Sequence, residues 1–152
     1  MPLSYWYVRV SPTEAATMGR DARDFWRSVK KAEQADGAAP RALDLEQWPR
    51  LLLRCLGNAA EPAPVERVLR GGGDWDVPGM EDNVYPGFAD PDAVREAWAT
   101  LRRLDQEAVT DEFGGALPGP QWEAWAREQV RRVWAFFEAA AGAGDGVVRI
   151  AG

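Results

Sequence analysis

A chain of 152 residues with a net charge of −6, one cysteine and no histidine has room for a single domain, residues 1–152, with a core of its own. One thiol excludes a disulfide framework and any multi-cysteine zinc or iron–sulfur site. The lack of histidine removes the commonest general base and transition-metal ligand. Twenty-four acidic against eighteen basic residues is the wrong sign for nucleic acid, so no nucleic-acid partner is expected.

No window approaches 18 uncharged apolar residues, so no membrane partner is expected either. The opening MPLSYWYVRV has no basic segment followed by an apolar one. Together with the lone thiol, this gives a reducing cytoplasm as the expected location.

Tyr5 to Val10 is dense in aromatic and β-branched residues and predicts a strand. Alternation sets Trp6, Val8 and Val10 on one face and Tyr5, Tyr7 and Arg9 on the other. Ser-Pro-Thr-Glu at 11–14 starts a helix, with Ser11 as cap, Pro12 in the first turn and Glu14 completing a capping box. Asp21 opens a second helix whose Ala22, Phe25, Trp26, Val29 and Ala32 recur at helical spacing. Asp36-Gly37 and the following Ala-Ala-Pro close it as a loop.

Leu43-Asp44-Leu45-Glu46 predicts a third helix, capped by Asp44 and running to Leu56, with a start nearer Trp48 as the alternative that accommodates Pro49. A polar linker and a short helix from Pro64 to Arg70 follow, ended by Gly71-Gly72-Gly73. Residues 71–90 hold no sustained period and predict a long loop. Helices are expected from Asp90-Pro91 through Leu104, from Asp105 to Phe113, and from about Pro120 to Ala141; Val147 to Ile150 then form a last strand. These elements predict an α+β fold. It is a helix-dominated single domain whose small sheet contains the N- and C-terminal strands.

Several segments in this order carry a family likeness: Tyr-Val-Arg-Val-Ser-Pro-Thr-Glu at 7–14, Leu-Asp-Leu-Glu-Gln-Trp at 43–48 and Val-Leu-Arg-Gly-Gly at 68–72. Two more are the Asp-Pro-Asp-Ala-Val start at 90–94 with its Leu104-Asp105 step, and Trp-Ala-Phe-Phe-Glu-Ala-Ala-Ala at 134–141 before the last strand. With these the chain resembles the YfbM-like family of bacterial domains of unknown function over nearly its whole length. The sequence departs from that pattern after Trp48, where family members often carry histidine and Pro49 to Leu56 contains none. The resemblance implies an α+β domain in a bacterial cytoplasm, and it implies no reaction.

Candidate chemistry concentrates in the predicted loop. Asp74, Asp76, Glu81 and Asp82, with Asp90 and Asp92 behind them, are interleaved with Trp75, Tyr85 and Phe88. Asp74-Trp-Asp76 followed by Gly79 faintly matches a calcium loop, but Pro78 and Tyr85 stand where that loop needs ligands, so no metal ligand is assigned. Ser28-Val-Lys-Lys31 has the spacing of some acyl-transfer serines, without the companion motif, and Gly71-Gly72-Gly73 follows a helix rather than a strand, unlike a phosphate loop. Cys55 lies in an apolar helical stretch and reads as a buried thiol.

No catalytic residue and no cofactor is assigned. The reading that survives is a protein-binding module, of inhibitor or toxin-immunity type, whose acidic loop meets a basic partner through Asp74, Trp75, Asp76, Glu81, Asp82, Tyr85 and Phe88. The alternative is a protein that binds a small molecule or a divalent metal, including a carboxylate-dependent hydrolase. In that version Arg9 and Arg149, on neighbouring end strands, clamp a carboxylate or phosphate.

Overall fold

The two terminal strands pair with each other at the centre of one sheet. In the computed structural model, which describes residues 3–35, 39–57 and 63–152, β1 (Tyr5–Val10), β2 (Ala42–Glu46), β3 (Tyr85–Ala89) and β4 (Gly146–Ala151) lie in the order β2-β1-β4-β3. Every neighbouring pair is antiparallel, with Tyr7 opposite Arg149 and Gly87 opposite the same arginine from the other side. The fold is α+β and helix-dominated. Its helices are α1 (Pro12–Met18), α2 (Ala22–Glu33), α3 (Pro49–Gly57), α4 (Ala63–Leu69), α5 (Pro91–Leu101), α6 (Gln106–Ala116) and α7 (Glu123–Ala143).

Alternation along β1 feeds two cores. Tyr7 joins Leu43, Leu45 and Val147 against α3 to α7, while Val8 and Val10 join Val148 and Ile150 against α1, α2 and Val77. With both faces of the sheet covered, nearly every strand residue has an apolar side to fill. That explains the buried run from Gly146 to Val148.

Helix starts follow the expected caps. Ser11 Oγ accepts the Glu14 N–H at 3.1 Å while the Glu14 carboxylate accepts the Ser11 N–H at 3.0 Å. Asp21, Asp90 and Asp105 accept first-turn amides of α2, α5 and α6. α6 runs to Ala116, past Gly114-Gly115, because Leu117 beyond it is buried and anchors the end. A single 3-10 turn, Pro120–Trp122, precedes α7, which stops at Gly144 in the left-handed region with φ 72°. The loop expected at Asp36-Gly37 and the linker after Gly57 lie outside the described residues.

Two expectations are corrected. Leu43 to Glu46 is strand β2, not the start of a helix, and α3 begins at Pro49, close to the alternative start at Trp48. The period of two settles the strand: Leu43 and Leu45 are buried while Asp44 between them is exposed. Asp44 caps a turn instead, its carboxylate accepting the Glu46 N–H at 2.9 Å, and Glu46 adopts φ 49° to leave the strand. Pro49, which has no N–H to give, takes the first helical position.

Residues 71–90 are also not one long loop, because they contain β3. Pro86 and Gly87 mask the strand in the sequence, yet β3 is an edge, where a missing N–H is tolerated. Gly87 is required there, since a Cβ would lie 2.8 Å from the Gly71 carbonyl oxygen.

Candidate functional site

The stretch from Gly71 to Val84 is tied down along its length. Amides of Gly71 and Gly72 close α4 on the Val68 and Arg67 carbonyls, at 2.9 and 2.7 Å. Asp74 bridges Gly87, the Trp75 N–H reaches the Pro86 carbonyl at 3.2 Å, and the Ala22 N–H reaches the Pro78 carbonyl at 2.8 Å. The segment therefore borders β3 and reaches across to the start of α2.

Its aromatic residues face inward. Trp75 packs edge-on against Phe25 and tilts over Phe88, with ring centres 5.9 and 5.4 Å apart. Trp75 and Phe88 are thus half-buried in the second core before any partner is present. Tyr85 is the aromatic left in solvent, 51% exposed.

The carboxylates face outward. Asp74, Asp76, Glu81 and Asp82 are all exposed, and Glu81 accepts the Trp26 indole N–H at 3.3 Å. Asp76, Glu81 and Asp82 stand round a depression of about 280 Å³ that is also walled by Trp75, Met80 and Val84. Asp90 and Asp92 are drawn away from this group. Asp90 caps α5, and Asp92 pairs with Arg95. Among the described residues no three acidic, cysteine or histidine side chains converge in a way that would hold a metal ion.

The two arginines of the alternative reading part company. Arg9 gives Nη1 to Asp145 at 2.9 Å and Nε to the Pro40 carbonyl at 3.0 Å. Arg149 projects from the same face of the next strand, two registers along. There it donates to the carbonyls of Arg70 and Tyr85, at 2.6 and 3.2 Å. Only Arg149 lines a second and larger cavity of about 570 Å³, together with Arg50 and Arg70. Nothing in the sequence singles out Arg50. It reaches this place because Pro49 sets the start of α3 beside the sheet.

Two buried groups are held in their neutral forms. Burial pushes the Tyr7 hydroxyl far above its ordinary value, the nearby Arg149 charge opposing this only in part. Burial also raises the Cys55 thiol, and the Glu112 charge adds to the rise. Cys55 lies inside the larger core and so behaves as packing. All eight tryptophans are likewise accounted for by the cores. Trp134 is buried in the larger one, with Trp48, Trp98, Trp122 and Trp125 against it; Trp6, Trp26 and Trp75 pack on the smaller.

No family model matches the sequence, and no curated protein does. The architecture is nevertheless one already seen in a bacterial α+β protein of unknown function. The solved structure is that of YfbM from Escherichia coli. It matches with a TM-score of 0.58 over 98% of this chain and 99% of that one, at 11% sequence identity. The likeness shows a YfbM-like fold and transfers no residue role.

Proposed function

We propose that this protein is a non-enzymatic binding module whose acidic face, Asp74 to Asp82 with Tyr85 beside it, receives a basic protein partner. The observation that carries this reading is the depression of about 280 Å³ between Trp75, Met80, Val84 and the carboxylates of Asp76, Glu81 and Asp82. An arginine or lysine side chain has the matching chemistry. Its methylene stem lies on apolar surface while its cation meets the acidic rim and the Trp75 ring.

The backbone bonds of the segment also support the reading, since a surface already ordered loses little entropy on binding. The negative net charge adds long-range steering toward a basic partner. An inhibitor or immunity protein that covers a basic active site is the specific version.

A pull-down from the native organism's lysate, comparing the wild-type bait with Asp74→Lys/Asp76→Lys, tests it. The expected result is a stoichiometric basic partner lost with the double reversal, with association that slows as salt rises. A partner captured equally by both baits overturns the assignment of this face.

A further inference from the structure

We propose that the cavity at Arg149 is a binding site for a small organic anion, a carboxylate head carrying an apolar body. This inference is independent of the acidic face. The cavity is lined by Arg50, Arg70 and Arg149 and by no carboxylate, in a protein whose net charge is −6. Of these three guanidiniums only Arg70 has a carboxylate partner among the described residues, Glu66, which lies outside the lining, so the cavity is locally positive in an otherwise acidic molecule.

Each arginine has a different degree of freedom. Arg70 is tied to Glu66 at 2.9 Å. Arg149 spends two of its five N–H donors on backbone carbonyls, and its Nε is buried without a partner. No ion pair neutralises it among the described residues. A guanidinium half-shielded from water and facing only carbonyl dipoles gains most from an anion. Arg50 is exposed and has no acid partner among the described residues. It stands in the first turn of α3, where the free amides and the helix dipole also favour negative charge.

The remaining wall sets the ligand's other half. Leu53 and Leu69 line the cavity, and Leu3, 40% exposed, borders it. Apolar surface next to a cationic end is the complement of an amphipathic carboxylate, and about 570 Å³ is within the range of small-molecule sites. A planar carboxylate also suits the fork of a guanidinium better than it suits an ammonium.

The test is calorimetric titration of the purified protein with octanoate, with butyrate and n-octanol as probes lacking one half of the chemistry. Octanoate is expected to bind and to raise the melting temperature with concentration, and both truncated probes to bind at least about tenfold more weakly. Arg50→Glu, at an exposed position, is expected to weaken octanoate at least about tenfold while the ligand-free melting temperature stays put. Arg149→Gln is expected to abolish binding. Absence of octanoate binding at about 10 mM, equal affinity for octanoate and n-octanol, or unchanged affinity in Arg50→Glu would each overturn the proposal.

Discussion

Arg9 on β1 and Asp145, the residue before β4, form an ion pair of 2.9 Å whose side chains are only 15% and 8% exposed. The pair lies where α7 turns into the sheet. Gly144 adopts its left-handed conformation, the Asp145 N–H returns to the Ala140 carbonyl at 2.9 Å, and the Asp145 carboxylate meets Arg9 on the adjacent strand. Asp145 thus ties the end of the helix and the start of β4 to the adjacent strand.

Breaking that pair strands a charge away from water. Asp145→Ala is expected to destabilise the fold by about 3 kcal/mol, because Arg9 keeps its desolvation cost and loses its counter-ion. Removing the exposed Glu128 partner of Arg131 is expected to cost far less, because solvent screens that pair and Arg131 stays hydrated without it. Urea melts of Asp145→Ala and Glu128→Ala measure the contrast.

Tyr7 reaches across from β1 to donate its hydroxyl to the Leu69 carbonyl at 2.8 Å, fully inside the protein. That bond ties the central sheet to the last turn of α4. Tyr7→Phe keeps the ring and leaves a buried carbonyl unpaired, with an expected loss of about 1–2 kcal/mol. Equilibrium unfolding would show it as a lower midpoint with an unchanged slope.

The three consecutive glycines are not equivalent. At Gly72, with φ 66°, a Cβ would lie 2.3 Å from the Phe88 carbonyl oxygen; at Gly73 it would meet nothing within 4 Å. Gly72→Ala is therefore expected to cost more than about 2 kcal/mol, from backbone strain plus a shift of β3. Gly73→Ala is expected to change stability by no more than about 0.5 kcal/mol. Thermal melts of the two variants side by side decide the matter.

Glu14 carries a pH dependence of known sign. Its burial alone raises the carboxyl, but the Ser11 backbone N–H and the Arg41 guanidinium outweigh it, so the group sits below its ordinary value of 4.5. A carboxyl lowered by folding stabilises fully above its unfolded value, and that contribution fades as pH falls through the lowered folded value. The stability gap between wild type and Glu14→Gln is expected to be constant at neutral pH and to shrink only below about pH 4.5. Denaturant melts from pH 7 to pH 3 measure it. Ser11→Ala is expected to remove about 1 kcal/mol from the same corner.

Local signals in the chain were sufficient wherever the decisive interaction is itself local. Ser11, Asp21, Asp90 and Asp105 each bond to amides two or three residues away, and a cap of that kind is written in a few consecutive letters. The alternation of Tyr5 to Val10 and the apolar stripes of α5 and α7 were equally readable, so the α+β class and the pairing of the terminal strands followed. Local reading failed where two local rules conflicted. Asp44 looked like a helix cap, but the burial of Leu43 and Leu45 against the larger core made the segment a strand. Pro86 and Gly87 looked like loop, but an edge position and the close approach of Gly71 made them part of β3.

The charges of the acidic segment were visible in the sequence; which of its aromatic residues turn inward was not. Trp75 packs because Phe25 of a distant helix supplies the surface, Phe88 packs on Trp75 in turn, and Tyr85 stays out. Arg149 was visible as an arginine on a terminal strand. Its separation from Arg9 depends on Asp145, and its grouping with Arg50 and Arg70 depends on where α3 begins and α4 ends against the sheet. By itself the sequence determined the balance of charge, the caps, the faces of the longer helices and the class of fold, since these rest on spacing along one segment. The tertiary structure decided which side chains share a cavity, because that is set by register and packing between segments dozens of residues apart.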